Sequence, residues 1–392
     1  MAHFKYFILG GGMTADSAVK AIREIDSSGS IGIVSAESSP PYKRPPLTKQ
    51  LWKGKSVDSI WLRTADFGIS LFMDRHIHRI DPAGKVLYDL EGGEYTYDKL
   101  LIAAGGTPRH LPFESDAIIY YRTFADYERL RALTNRGSRF AVIGGGFIGS
   151  EIAAALAMND KHAIMIFPDS TIGAKMYPPD LAKFITDYYR EKGVEIVTGD
   201  TAVKVESRGE KHTVKTREGR EIDVDGIVAG IGITPNTDLA AEAGLAVENG
   251  IQVDELLNAG HPDIYAAGDV ANFYNPDLDR RLRVEHEDNA VTMGAYAGKA
   301  MAGEAEPYTH LPYFYSDLFD LGYEAVGELD NNLEIVYDWK EPFREGVVYY
   351  LHNKRVRGVL LWNVWEKVPA ARELISDAGP FTAEDLKRRI GS

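Results

Sequence analysis

The sequence predicts an α/β chain made of two doubly wound parallel sheets, followed by a smaller α+β part. Three observations carry this expectation. A short apolar run, a cluster of glycines and a helical pattern recur in that order at Phe7-Ile-Leu-Gly-Gly-Gly and at Ala141-Val-Ile-Gly-Gly-Gly. Each opening is followed by a second apolar run, residues 31–34 and 163–167, so each reads as the start of its own parallel sheet. From Leu311 the texture changes to clusters of tyrosine and phenylalanine, with short strand-like segments such as Val347-Val-Tyr-Tyr-Leu and Val356-Arg-Gly-Val-Leu-Leu-Trp and a helical pattern after Pro369.

In chain order, Ala18, Ile22 and Ile25 put apolar side chains at helical spacing after the first glycines, and Ile148, Ile152, Ala155 and Leu156 do so after the second. Residues 120–136 lead into the second sheet, and Gly230-Ile-Gly-Ile-Thr-Pro-Asn reads as the crossing where the chain leaves it. The stretch Asp263-Ile-Tyr-Ala-Ala-Gly-Asp again ends a strand at a glycine. The expected division is a first dinucleotide-binding domain in two pieces, residues 1–119 and 239–308, around an inserted second one, residues 120–238, with the α+β domain over 309–392.

Composition narrows the function. The 392 residues are enough for two or three domains with their own cores. With 44 Lys plus Arg against 58 Asp plus Glu, the net charge of −14 argues against nucleic acid or an anionic membrane as the main partner. The absence of cysteine excludes a disulfide framework, a thiolate metal site, a chain-bound Fe–S cluster and a redox-active dithiol. The start Met1-Ala-His-Phe-Lys lacks the pattern of a secretory signal and no window has the apolar length of a membrane span, so a cytoplasmic chain is expected.

The second glycine cluster has the complete G-x-G-x-x-G spacing at Gly144, Gly146 and Gly149. The first glycine permits the tight turn, the second lets a pyrophosphate approach the backbone, and the third lets the helix pack on its strand. Asp169 lies near the end of the following strand, where an acid takes ribose hydroxyls and repels a 2′-phosphate; NADH is therefore favoured over NADPH. The first cluster has Gly10 and Gly12 with Ala15 in the third place, and Glu37 as its acid. Two nucleotide sites in one cysteine-free chain point to a flavin and a nicotinamide, FAD and NAD(H), placed for hydride transfer.

Pro40-Pro-Tyr-Lys-Arg-Pro-Pro-Leu-Thr-Lys, Ile102-Ala-Ala-Gly-Gly-Thr-Pro-Arg, the turn at Gly144, Ala266-Ala-Gly-Asp and Val284-Glu-His together resemble the flavin-dependent pyridine-nucleotide oxidoreductases of glutathione-reductase-like fold. Gly322-Tyr-Glu-Ala-Val-Gly, Gly358-Val-Leu-Leu-Trp-Asn and Val368-Pro-Ala-Ala-Arg bring the chain nearest to the apoptosis-inducing factor branch, beside the rubredoxin and ferredoxin reductases. The resemblance implies that Gly10, Gly12, Glu37, Arg44, Lys49 and Asp269 contact FAD, and that Gly232 belongs to the NAD side. It matches Lys49 and Glu151 to an ion pair beside the flavin, where a lysine near N5 stabilises the reduced ring. From chemistry alone, Arg44 reads equally as a solvated loop cation and Glu151 as a helix-start acid. Phe147 is either core or a ring between nicotinamide and flavin. Glu285 and His286 are matched to the nicotinamide and flavin edge, the alternative being an acidic helix start.

The chain departs from its relatives at Phe314-Tyr315-Ser316-Asp317, where Tyr315 stands in place of a tryptophan covering the flavin. It also has no room between Glu328 and Gly346 for the long insertion of apoptosis-inducing factor. His76 and His78 read as solvated strand histidines rather than metal ligands, and no metal is expected. Arg280, Arg281, Arg283, Lys387, Arg388 and Arg389 read as solvated faces and as the visible docking patches for an acidic carrier.

Three functions are weighed. The first is an apoptosis-inducing-factor-like NADH oxidoreductase with an NADH-induced charge-transfer complex and a homodimer formed on reduction. The second is a reductase feeding a ferredoxin or rubredoxin of an oxygenase system. The third is a redox-sensing interaction protein with a flavin switch. Oxygen, a quinone or a carrier protein are the acceptors left open.

Overall fold

A computed structural model of the chain describes residues 2–390. The contacts divide into two units, each assembled from three separate stretches. Met1–Arg44, Val57–Thr107 and Thr234–Pro312 form the first; Pro45–Ser56, Pro108–Ile233 and Tyr313–Ser392 form the second. The main helices are α1 (Met13–Ile25), α2 (Phe124–Thr134), α3 (Phe147–Met158), α4 (Pro179–Glu191), α5 (Asp238–Glu242), α6 (Glu287–Met301) and α7 (Val368–Ser376). None of the described helices is long and apolar enough to cross a membrane.

In the first unit the parallel sheet has the spatial order Ile264–Ala266, Glu94–Ile102, Ala2–Leu9, Ile31–Val34, Ser70–Phe72, flanked by the antiparallel strand Asn258–His261. Ala2–Leu9 ends in the unbroken buried run Tyr6 to Leu9, as expected for a central strand covered on both faces. Helix α1 buries Ala15, Ala18, Val19 and Ile22, one face at helical spacing. It packs on α6 almost backbone to backbone: a methyl placed on Gly294 would lie 2.4 Å from the Thr14 carbonyl oxygen. The Ser17 hydroxyl donates to the Val291 carbonyl at 2.6 Å across the same contact.

The second unit holds three sheets. The parallel one runs Glu195–Thr198, His162–Phe167, Arg139–Ile143, Gly226–Ala229, Ile118–Tyr120, with α3 following Arg139–Ile143. A three-stranded antiparallel sheet, Ala202–Arg208, Lys211–Thr216 and Glu221–Val224, extends it, and the C-terminal antiparallel sheet has the order Tyr313–Leu318, Leu321–Gly327, Arg355–Trp362, Glu345–His352, Glu334–Glu341. In the C-terminal sheet Gly346 to Leu351 are all buried, so this strand is covered on both faces.

The short stretch Pro45–Ser56, placed by the sequence reading inside the first domain, packs in the second unit. Its apolar residues explain this: Leu47, Leu51 and Trp52 are all buried. The Trp52 indole N–H donates to the Leu47 carbonyl at 2.8 Å, the Tyr121 hydroxyl donates to the same oxygen at 2.6 Å, and the Asn159 amide donates to the Trp52 carbonyl at 3.1 Å. The Trp52 ring meets Tyr127 edge-on at 5.9 Å, and the Arg131 guanidinium lies 4.8 Å from an indole ring centroid of Trp52. These contacts fix the chain immediately around Lys49.

Candidate functional site

The two glycine turns make two cradles of the same kind. In the first unit Gly10 has φ +118°, and a methyl there would sit 2.2 Å from the Ala103 carbonyl oxygen; in the second Gly144 has φ +119° and a methyl would lie 2.3 Å from the Gly230 carbonyl oxygen. Neither position tolerates a side chain. A methyl on Gly149 would fall 2.1 Å from the Gly144 carbonyl oxygen, which is the close helix-to-strand approach expected of the third glycine. Ala15, in the corresponding place of the first turn, is fully buried.

Gly12 and Gly146 differ from these. They are the N-cap residues of α1 and α3, with φ of −92° and −89°, and no side chain caps either helix start. Nothing lies within 4 Å of a methyl built on either one. Each turn therefore presents uncapped backbone N–H groups, at the positive end of a helix, to open space. This is the chemistry a pyrophosphate requires, so the residues present fit both nucleotides.

Around the first cradle, Glu37 follows the strand Ile31–Val34 and is held by its neighbours. The Tyr42 hydroxyl donates to Glu37 Oε2 at 2.6 Å, and Arg44 Nη2 donates to Glu37 Oε1. Arg44 Nη1 donates to the Tyr42 hydroxyl at 3.0 Å. Arg44 is thus neither a solvated loop cation nor turned wholly to phosphate: two of its N–H groups organise the Glu37 loop.

Asp269 lies in the short 3-10 turn Gly268–Val270, and its carbonyl accepts from Arg283 Nη1 at 3.2 Å. The same guanidinium pairs with Glu285 at 2.7 Å and donates through Nε to Asn249 at 3.2 Å. His286 is the N-cap of α6, without a side-chain capping bond.

These contacts correct the reading of Arg283 as part of a solvated face, while Arg280 and Arg281 are exposed as expected. The Arg283 side chain is 8% exposed, and Arg281 Nη2 donates to the Val253 and Asn272 carbonyls at 2.8 and 2.9 Å. Of the three, only Arg283 is drawn inward; Arg280 and Arg281 on the antiparallel segment Arg280–Leu282 stay exposed, although Arg281 reaches loop carbonyls that need donors. At the C-terminal end Lys387 pairs with Glu384 at 2.9 Å and Arg389 approaches Asp377 at 3.9 Å, so those cations are partly offset as well. His76 and His78 are exposed, and no group of three or more His, Cys, Asp or Glu gathers as a metal site among the described residues.

The second unit brings together Lys49, Glu151 and Tyr315. Glu151 lies in the first turns of α3 and is buried; its Oε1 is 2.5 Å from Lys49 Nζ. The Ser316 hydroxyl donates to Oε1 and the Thr48 hydroxyl to Oε2, both at 2.6 Å. The centroid of the Tyr315 ring is 5.2 Å from Lys49 Nζ. Burial pushes the Tyr177, Tyr189 and Tyr323 phenols well above their ordinary range, so these neighbours stay neutral. Phe147 opens α3, and its ring meets Phe314 edge-on at 5.5 Å.

Asp169 stands on the loop after His162–Phe167, exposed, with no partner for its carboxylate among the described residues. Gly232 has φ +96° and its carbonyl accepts from the Arg109 N–H at 2.9 Å. Ile148, expected on the buried face of its helix, is instead 37% exposed, because it sits in the first turn beside the open cradle.

The sequence reading missed Thr48, Ser316, Tyr42 and Arg283. Thr48 was in plain sight next to Lys49 and Ser316 next to Tyr315, but only the fold shows that both hydroxyls meet Glu151.

Two uncapped nucleotide cradles and a buried lysine–glutamate pair, in a chain without cysteine, define a pyridine-nucleotide-dependent flavoprotein oxidoreductase. The chain belongs to the pyridine nucleotide-disulphide oxidoreductase family, which matches residues 4–294. The C-terminal part of apoptosis-inducing factor, mitochondrion-associated, matches residues 297–342 and 337–377.

Among similar proteins, apoptosis-inducing factor 1, mitochondrial, of Dictyostelium discoideum is 34% identical over 98% of this chain and 80% of its own length. The 5,5'-dehydrodivanillate O-demethylase ferredoxin reductase subunit of a Sphingobium species is 33% identical over 96% of this chain and 94% of its own. A solved structure, the covalent putidaredoxin reductase–putidaredoxin complex, superposes with a TM-score of 0.91 at 29% identity, covering 98% of this chain and 95% of its own. FAD and NAD(H) are the cofactors of this family, and the chain is an FAD-dependent oxidoreductase of the apoptosis-inducing-factor-like kind.

Proposed function

We propose that this oxidoreductase draws its hydride from NADH in preference to NADPH, and that Lys49 supports the flavin that receives it. One observation carries the reading. The Lys49 ammonium has three N–H donors and is 7% exposed, yet a single Glu151 oxygen is its only hydrogen-bond acceptor among the described residues. Buried donors without acceptors are costly, so this group is built to meet another acceptor, and the edge of a reduced flavin is one. Bound FAD supplies the N5 that accepts hydride and then passes electrons to an external acceptor.

The residues of the chain divide the remaining work. Glu151 holds the ammonium in place, Phe147 and the Glu285–His286 corner position the nicotinamide, and Tyr315 lies where its ring shields the reacting face. Asp169 takes the ribose hydroxyls and discriminates against a 2′-phosphate. Residues 1–119 with 239–308 serve FAD, 120–238 serve NAD, and 309–392 complete the centre. A cytoplasmic setting, where NADH is supplied, and a homodimer formed on reduction go with this reading.

The test is anaerobic. The purified yellow protein is mixed with one equivalent of NADH or of NADPH, the flavin spectrum is followed, and air is then admitted. Faster bleaching by NADH supports the proposal; equal rates with both nucleotides overturn it.

A second reading is favoured by the names of the relatives, one a ferredoxin reductase subunit and one solved with putidaredoxin. An Fe–S carrier of that class would then be the acceptor. Rapid, salt-sensitive reoxidation by an added ferredoxin supports this, whereas a long-wavelength band that survives air favours the slow, sensor-like alternative.

A further inference from the structure

We infer that Thr48 and Ser316 are positioning residues for Lys49, acting through Glu151, and that they raise the readiness of the flavin to accept hydride. This rests on the reading of Lys49 given above and goes beyond it.

The geometry is a carboxylate held by three donors from two other stretches of chain. Glu151 comes from α3, Lys49 and Thr48 from the stretch Pro45–Ser56, and Ser316 from the strand Tyr313–Leu318. Lys49 and Thr48 are each 7% exposed, Glu151 5% and Ser316 1%. A buried ion pair is worth keeping only if its geometry is good and its spare lone pairs are satisfied. Here they are: Oε1 is shared by the ammonium and the Ser316 hydroxyl, and Oε2 is taken by the Thr48 hydroxyl. All four residues lie in one unit.

The two hydroxyls do more than fill lone pairs. Each withdraws charge from the carboxylate through a hydrogen bond to an ionised acceptor, which is stronger than one between neutral groups. With that charge drawn off, Glu151 fixes the ammonium without cancelling its field. Without the hydroxyls, the carboxylate is both more negative and freer to turn, and the net positive potential that Lys49 offers to a reduced flavin falls. The C-terminal strand, through Ser316, is therefore part of the redox centre rather than a cover over it.

The measurement is the two-electron midpoint potential of the bound flavin, taken by dye-coupled reductive titration without NADH, for Thr48→Val, Thr48→Ser, Ser316→Ala and Lys49→Met. Melting temperature and flavin content are recorded for each. Thr48→Val and Ser316→Ala are expected to disfavour reduction about tenfold, a shift of roughly 30 mV to more negative potential for a two-electron couple. Thr48→Ser, which keeps the hydroxyl, is expected to stay with the parent.

An unshifted potential in Thr48→Val and Ser316→Ala, with a clear shift in Lys49→Met, overturns the positioning role and leaves the lysine reading intact. No shift in Lys49→Met overturns both. Should Ser316→Ala fail to hold its flavin, the Thr48→Val and Thr48→Ser pair decides alone, since valine keeps the shape of threonine without its hydroxyl and serine keeps the hydroxyl without its methyl.

Discussion

The glycines of the two turns have separable jobs, and this makes a sharp prediction. Gly149→Ala would place a methyl 2.1 Å from the Gly144 carbonyl oxygen, over 1 Å inside ordinary contact, and the obstacle is backbone that cannot swing aside. Relief requires lifting the start of α3 from its strand, a cost of about 3 kcal/mol at the upper end of overpacking effects. Gly146→Ala meets nothing within 4 Å, and its φ of −89° suits any residue. Reduced freedom of the unfolded chain gains about 0.4–1 kcal/mol, and a poorer N-cap loses a similar amount, so net stability stays within about 1 kcal/mol.

The methyl of Gly146→Ala does, however, occupy the space a pyrophosphate needs, and a loss of about 1.4 kcal/mol or more in binding is at least tenfold in Kd. Gly12→Ala is the matching change in the first unit and is expected to loosen FAD while leaving NADH affinity unaltered in the FAD-loaded fraction. The assay pairs thermal unfolding with anaerobic titration of NADH into flavin-loaded protein. If Gly146→Ala binds NADH as the parent does, or if Gly149→Ala melts with the parent, the assignment of these turns as nucleotide cradles is wrong.

Asp169→Asn is expected to raise the NADPH-to-NADH ratio of kcat/KM about tenfold, measured by steady-state reduction of an artificial dye; an unchanged ratio removes the ribose contact. Trp52→Ala should cost roughly 3–5 kcal/mol of stability by emptying the indole site beside Tyr127 and removing one of the two donors to the Leu47 carbonyl, and denaturant unfolding that shows under 1 kcal/mol refutes the packing argument. Burial pushes the Asp225 carboxyl up, but Lys211 and the Ser138 and Arg139 N–H groups outweigh it and hold it down at about 2. A folded-state value below the unfolded one adds stability above the unfolded value and loses it as pH falls toward 2. The gap between parent and Asp225→Asn, about 1–2 kcal/mol at pH 7 after allowance for the exposed lysine, should therefore close between about pH 5 and 2, and a gap that stays constant across that range counts against the pairing.

How much of this was legible in the sequence depended on whether the constraint was local. Both glycine turns could be read because a positive φ and a close carbonyl leave only glycine, and a spacing rule records that. The place of Asp169 on the loop after His162–Phe167 was also legible, since the strand length sets where the loop begins.

Burial was not legible in the arginine run: nothing near Arg283 in sequence says that the Asp269 carbonyl and Glu285 will surround it. Nor was the partnership of Glu151 with Ser316, since one sits on helix α3 and the other on a strand of the C-terminal sheet and no period links them. The strand Glu345–His352 was found, but its burial on both faces depends on packing from segments distant in sequence. Resemblance to relatives pointed to Lys49 and Glu151; the structure added the hydroxyls that make the pair tenable.

The interleaving of the chain also governs how it can be made. Strand Glu94–Ile102 finishes its pairing only when Ile264–Ala266 has been synthesised, and Glu151 gains its Ser316 donor later still. A nascent chain on the ribosome therefore carries an open sheet edge from residue 102 until residue 264, about two fifths of its length, the kind of edge that recruits other strands. Fragments cut between the units should precipitate rather than fold, and a fusion or tag that shortens translation pauses before residue 264 should raise the yield of soluble yellow protein.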